Sequence, residues 1–230
     1  MVVTVRQGPG GALVVGGSDI ARAVRDALRA AGTVVGEAAS GGGLAADAEA
    51  AGIAADGVEL VVYAPYTPGS ALPRAVVDMS AQEWDRLAEQ PVRDGLAALQ
   101  AAHPLLKAAA ERRGEARFVL VAPSVAIEGG AGVVPLATAA ESLRALAKSA
   151  ARRWARDGVA VHLLAPTVFA LDAEAEALRG SDVDRSEAAL GAEAMSPEAV
   201  AEVVLLLCGP GARYLTGGTF PLDGGALMVP

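Results

Sequence analysis

Two patterns of apolar and polar residues take turns along this chain. Short unbroken apolar runs are followed by longer stretches in which apolar residues return every three or four positions. ALVVGG (12–17) is the first such run and reads as a buried strand ending in glycines. In SDIARAVRDALRAAG, Ile20, Val24 and Leu28 form one stripe, Ser18 or Asp19 can cap the start, and Gly32 stops it, so a helix is predicted. TVVGEA (33–38), ELVVYAP (59–65), ARFVLVAPS (116–124) and VAVHLLAP (159–166) read as further strands, and GGTFPLDGG holds the last. The Gly- and Ala-rich segment between the second and third strands predicts a loop with one short helix, its GGG at 41–43 a flexible connection rather than a phosphate cradle. A long helical region runs from about 81 to 113, interrupted by prolines at 91 and 104, and another spans about 137–157. PEAVAEVVLLLC begins with Pro197 at a helix N-terminus, where the missing N–H costs no hydrogen bond. Residues 172–196 are acidic and irregular.

Strands alternating with helices through short loops predict an α/β protein. The architecture expected is one Rossmann-type domain over 1–230, a doubly wound parallel sheet with helices on both faces. No internal repeat and no dividing linker is seen. In such a sheet ligands sit outside the carboxyl ends of the strands. The residues to watch are Gly16, Gly17, Ser18, Asp19, Glu37, Tyr63 to Tyr66, Ser124 and Pro166 to Val168.

Composition sharpens this picture. Hydrophobic residues make up 53% of the chain but aromatics only 3%, so a core of small side chains packed closely is expected. A net charge of −8 argues against a nucleic-acid surface. The single cysteine, Cys208, excludes an internal disulfide, and its VVLLLC setting predicts a core thiol. His103 reads as a surface or packing residue and His162 as a core histidine with its nitrogens satisfied; neither has a partner at metal-ligand spacing. Arg152, Arg153 and Arg156 suit a solvated helix end. No apolar run reaches the roughly 18 residues that span a bilayer. The opening MVVTVRQGPGG is too short and polar for a signal peptide, so a cytoplasmic protein off the membrane is expected.

SPEAVAEVVLLLCGPGARYLTGGTFPLDGG, RDGVAVHLLAP and EWDRLAEQ together resemble the short-chain dehydrogenase/reductase family over nearly the whole chain. The resemblance implies a hydride-transfer scaffold for NAD or NADP whose chemistry needs a tyrosine, a lysine, a serine and an asparagine. The lysine's positive charge brings the tyrosine into the working range of a general acid–base. Ser124 falls on the serine position. Leu136 stands at the tyrosine, Ala140 at the lysine and Pro91 at the asparagine. Where the family reads T-G-x-x-x-G-x-G, VGGSDIARA keeps Gly16, with Gly17 and Ser18 as a degenerate remnant, and places the Asp19 carboxylate near the phosphate position. The family's N-N-A-G is here YAPY, Tyr63 to Tyr66, which makes both tyrosines candidate ligand groups. Glu37 is the nearest candidate for a ribose-selecting residue.

The resemblance therefore implies a catalytically silent member that binds no cofactor, or NAD(P) only if the degenerate loop still holds it. The expected partner is an active homologue in a hetero-oligomeric oxidoreductase, one acting on an acyl thioester or another carbonyl or hydroxy substrate. Its expected interfaces are the helices at about 81–113 and 137–157, with Trp154 as an anchor, and the C-terminal tail. Residues 172–196 would be a reduced, acidic lid. Two alternatives stay open: an enzyme with altered chemistry in the old crevice, using Ser124 and Tyr66, and a non-catalytic small-molecule-binding module.

Overall fold

The computed structural model describes residues 8–66, 69–171, 190 and 196–227. Six strands form one parallel sheet: β1 (Gly11–Val15), β2 (Val34–Ala38), β3 (Val58–Tyr63), β4 (Ala116–Val121), β5 (Val159–Pro166) and β6 (Thr219–Leu222). Their order is β2-β1-β3-β4-β5-β6. The direction of winding reverses between β1 and β3, which makes their carboxyl ends the switch-point crevice of a doubly wound sheet. The Rossmann order carries one more strand outside β2. Here the link from β2 to β3 holds only α2 (Leu44–Ala50), flanked by single 3-10 turns, so β2 is the edge. The GGG segment is one of these turns, and Gly41 packs so closely on Ala98 that a Cβ would lie 2.4 Å from its backbone nitrogen.

β1, β3, β4 and β5 are buried along their whole length, as strands covered on both faces must be. On one face Leu13, Val61, Phe118 and Leu163 pack against α2, α4 (Gln90–Arg113) and α6 (Val134–Trp154). On the other, Val14, Val62, Val119 and Leu164 pack against α1 (Asp19–Ala30) and α7 (Pro197–Leu207). The stripe Ile20, Val24, Leu28 is the buried side of α1, and Ser18 caps it by accepting from the Ala21 N–H at 3.1 Å. Each such aliphatic side chain contributes about 1.5–3 kcal/mol by leaving water.

The helical region near 81–113 is less interrupted than its prolines predict. α3 (Ala81–Trp84) starts on a Ser80/Glu83 capping box and passes through a π-turn at Asp85–Glu89 into α4. The wider π-turn absorbs the missing N–H and the ring of Pro91 at the start of α4. Pro104 lies inside α4 without ending it, because Leu99, Ala102, Leu105, Leu106 and Ala109 hold that stretch in the core. The short helix α5 (Val125–Glu128) links β4 to α6. No helix among the described residues is long and apolar enough to cross a membrane. The expected lid over 172–196 lies outside the described residues, apart from Leu190 and Ser196.

Candidate functional site

The switch-point crevice is built on the β1–α1 turn. Gly16 has φ +120°, and a Cβ there would sit 2.0 Å from the Ala64 carbonyl oxygen, so only glycine fits. Its N–H donates to the Ala38 carbonyl at 3.0 Å, and its own carbonyl accepts from Arg25 at 3.0 Å. Ser18 is buried and its hydroxyl accepts from the helix backbone. Asp19 opens α1 and pairs with Arg22 at 2.6 Å. Glu37 pairs with Arg29 at 2.7 Å and Arg25 at 3.5 Å, and the Arg29 hydrogen bond chiefly lowers its pKa. The polar groups of this turn are thus largely committed to one another, while Gly17 faces open space.

The second part of the crevice lies at the end of β3. The Tyr63 hydroxyl donates to the Pro91 carbonyl at 2.9 Å, and burial pushes its pKa well up. Tyr66 is buried as well. Its hydroxyl has no hydrogen-bond partner among the described residues, and burial raises its pKa. Tyr66, Leu136, Pro91, Leu87 and Gln90 line one cavity of about 290 Å³, with Arg86 and Asp94 on its wall. Leu136 and Ala140 stand one turn apart on α6, so their side chains leave the helix on nearly the same side. Leu136 packs with the α1/α7 layer, and Ala140 is wholly buried in the α4/α6 layer. A glycine at 95 lets α4 approach this region, because a Cβ there would meet Leu143 at 2.4 Å.

Ser124 sits outside that cavity. It lines a separate recess of about 20 Å³ with Thr167, Val168 and Phe169, room for roughly one water. Its N–H donates to the Pro166 carbonyl at 2.8 Å and its carbonyl accepts from Ile127 at 2.7 Å, which ties the end of β5 to the start of α5. Its hydroxyl makes no capping bond to that helix. The Thr167 hydroxyl is buried without a partner among the described residues. Thr167 lies within the Pro166 to Val168 stretch that its place after a strand end had singled out.

Several other expectations meet the structure. His103 packs flat on Trp154, centroids 4.9 Å apart, and bonds Asp157 at 3.0 Å. Trp154 is buried between His103 and Phe118 within its own subunit, which corrects its expected role as an interface anchor. His162 is fully buried, and neither ring nitrogen makes a hydrogen bond of normal geometry among the described residues, although the Leu215 backbone interacts with the ring, so its expected satisfaction is met at most weakly. Burial, and next the charge of Arg117, push its pKa down to about 4. The Cys208 thiol donates to the Val204 carbonyl at 3.3 Å, and burial pushes its pKa up to about 11. Arg117 was missed, although a lone charge in the apolar run ARFVLV was a readable signal. Among the described residues no three His, Cys, Asp or Glu side chains gather as a metal cage.

A family profile described as enoyl-(acyl carrier protein) reductase matches residues 21–226. A tropinone reductase homolog from Arabidopsis thaliana is 29% identical over 160 residues, 68% of this chain and 59% of the relative, so the chain spans less than two thirds of that relative's length. The solved structure of a 3-ketoacyl-(acyl-carrier-protein) reductase from Brucella melitensis complexed with NADH superposes with a TM-score of 0.78, at 19% identity, over 96% of this chain and 100% of that one. An oxidoreductase of the short-chain dehydrogenase/reductase family from Burkholderia thailandensis superposes with a TM-score of 0.68, at 23% identity, over 95% and 93% of the two chains. At these identities the two structures speak for the fold.

Proposed function

The chain belongs to the short-chain dehydrogenase/reductase family, and we propose that within it the chain is a catalytically silent subunit. It assembles with an active relative, supports it, and shapes access to a carbonyl or hydroxy substrate such as an acyl thioester. The observation that carries this reading is the environment of Leu136 and Ala140. Both are buried among apolar side chains, and neither offers a proton or a charge. No other pair takes over. The chain has two lysines. Lys107 pairs with Asp157 at 3.4 Å, and Lys148 lines a cleft beside Thr216 and Gly217; both lie toward the amino ends of the strands. Tyr63 is bonded to Pro91, and nothing near Tyr66 lowers its pKa.

The same reading includes no working NAD(P) site. The Gly16 and Ser18 groups are already bonded internally, Asp19 adds a carboxylate where phosphates would lie, and Glu37 is held by two arginines. These residues do not fit a dinucleotide held for hydride transfer. The partner surface is the outer side of α4 and α6, where Leu96 is exposed. The test is a native mass spectrum of the protein purified from its own host. Subunits of 23.0 kDa accompanied by a second chain bearing Tyr-x-x-x-Lys are expected; a pure homo-oligomer would overturn the reading.

A second reading has one observation in its favour: the 290 Å³ cavity beside the unpartnered Tyr66 hydroxyl. In it the old crevice performs altered chemistry, or holds a small molecule without turning it over. Altered chemistry in that cavity predicts turnover that disappears in Tyr66→Phe. A binding module predicts retained small-molecule mass in a homo-oligomer with no turnover.

A further inference from the structure

We infer that the amino end of the sheet carries a binding site for a phosphate-sized oxyanion, in the cavity between Arg117 and Arg213. This site lies at the opposite end of the strands from the switch-point crevice and does not depend on the silent-subunit reading.

The cavity measures about 80 Å³ and opens between the starts of β4 and β5 and the turn Pro210–Leu215. At about 30 Å³ per water it holds two or three waters, or one tetrahedral oxyanion. Arg117, Arg213, Glu115 and Thr216 bring polar groups to its wall. Arg117 is the unusual member, a guanidinium only 6% exposed in the second position of a buried strand. One of its terminal nitrogens donates to the Gly209 carbonyl at 2.9 Å and reaches Glu115 at 3.0 Å. Its Nε is buried with no acceptor among the described residues. A buried charged donor left without an acceptor is costly, and a small shift of the side chain toward an acceptor in the cavity would relieve it.

The charge balance points the same way. Glu115 is the one carboxylate lining the cavity, against two guanidinium groups. Glu59, the other acid nearby, is taken by Arg113 at 3.3 Å. Arg213 makes no ion pair among the described residues; its guanidinium lies 5.6 Å from the centre of the exposed Tyr214 ring. A local excess of one positive charge thus stands in a chain of net charge −8. Planar guanidinium forks match the oxygens of a phosphate or carboxylate, and phosphate suits the cavity's size and its two arginines.

The test is calorimetric titration of the full chain with inorganic phosphate, with sodium chloride adjusted to hold ionic strength constant. Saturable binding is expected. Arg213→Gln, at an exposed position, is expected to weaken it about tenfold, the loss of one charge-assisted bond. Arg117→Lys keeps the charge but loses the fork, and weakens it as well. Arg152→Gln, in the neighbouring cleft with Lys148, leaves the affinity unchanged. A parallel titration with glycerol 3-phosphate separates two sources of the same chemistry: binding of both probes means a phosphoryl terminus is accepted, and binding of phosphate alone means a free ion. If phosphate binds no better than chloride at equal ionic strength, or if Arg213→Gln binds as the parent does, the site does not exist. Should Arg117→Lys fail to fold, Arg213→Gln still decides the matter.

Discussion

The two ends of the sheet differ in what they bury. At the carboxyl ends, where this architecture places its ligands, the chain packs Leu136 and Ala140 and closes the β1–α1 turn on itself through Gly16, Ser18 and Arg25. Toward the amino ends it packs Arg117, Glu59 and His162, and leaves polar atoms of two of them unpartnered. Buried polar groups are costly and buried apolar ones are not. At the carboxyl-end crevice the unpartnered buried groups among the described residues are the hydroxyls of Tyr66 and Thr167, while the amino end leaves a guanidinium nitrogen and an imidazole unpartnered.

The largest effect should come from putting chemistry back into the apolar end. Ala140→Lys would place an ammonium in the apolar cluster that also holds Leu99, Leu143 and Ala147. It is expected to destabilise the fold by about 3–5 kcal/mol, the scale of an uncompensated buried charge, as read by urea denaturation. Leu136→Tyr combined with Ala140→Lys is expected to show no NADPH oxidation. Brisk oxidation would mean that the β1–α1 turn still holds a dinucleotide and that the contrast between the two ends is smaller than drawn.

A smaller effect probes the polar end through pH. An unfolded histidine titrates near 6.5, while His162 in the fold titrates near 4. Between these values the unfolded chain binds more protons, so stability is lost as pH falls from about 6.5 to about 4. The loss from this residue is on the order of 3 kcal/mol. His162→Leu should remove that share of the acid sensitivity, and comparing unfolding free energies of parent and variant at pH 7 and pH 4.5 isolates it. Equal pH dependence in the two proteins would show that His162 finds a partner in solution.

The smallest effect returns to the crevice. Tyr66→Phe removes one buried hydroxyl that has no partner among the described residues. Taking away an unsatisfied group of this kind stabilises by about 1 kcal/mol, a rise of about 2–4 °C in melting temperature for a chain of this size. A fall would mean that the hydroxyl is bonded in solution, to water or to a ligand in the 290 Å³ cavity, and would favour the second functional reading.

Much of this was readable in the residues. The apolar runs became the strands to within three residues at each end, and the Ile20–Val24–Leu28 stripe became the buried side of α1. Ser18 and Pro197 sit at the helix starts where their chemistry belongs. These features are local: they depend on side-chain period, hydrogen-bond capacity and fixed backbone angles over a few residues. Pro91 and Pro104 were misjudged as breaks because a proline's local penalty is visible in sequence, while the π-turn and the packing that offset it are not. Trp154 read as an interface anchor because sequence shows a large aromatic ring but not the partners, His103 and Phe118, that cover it.

By itself, then, the sequence determined the alternation of strands and helices, the doubly wound class, and the absence of a tyrosine and a lysine at positions 136 and 140. Tertiary structure alone decided that Ser124 and Tyr66 line separate cavities, that Glu37 is held by Arg25 and Arg29, and that Arg117 lies beside Arg213, 96 residues later in the chain. The reason is physical. Hydrophobic periodicity acts over one turn or one strand, whereas burial, charge pairing and an unfilled hydrogen bond depend on which distant segments the sheet order brings together.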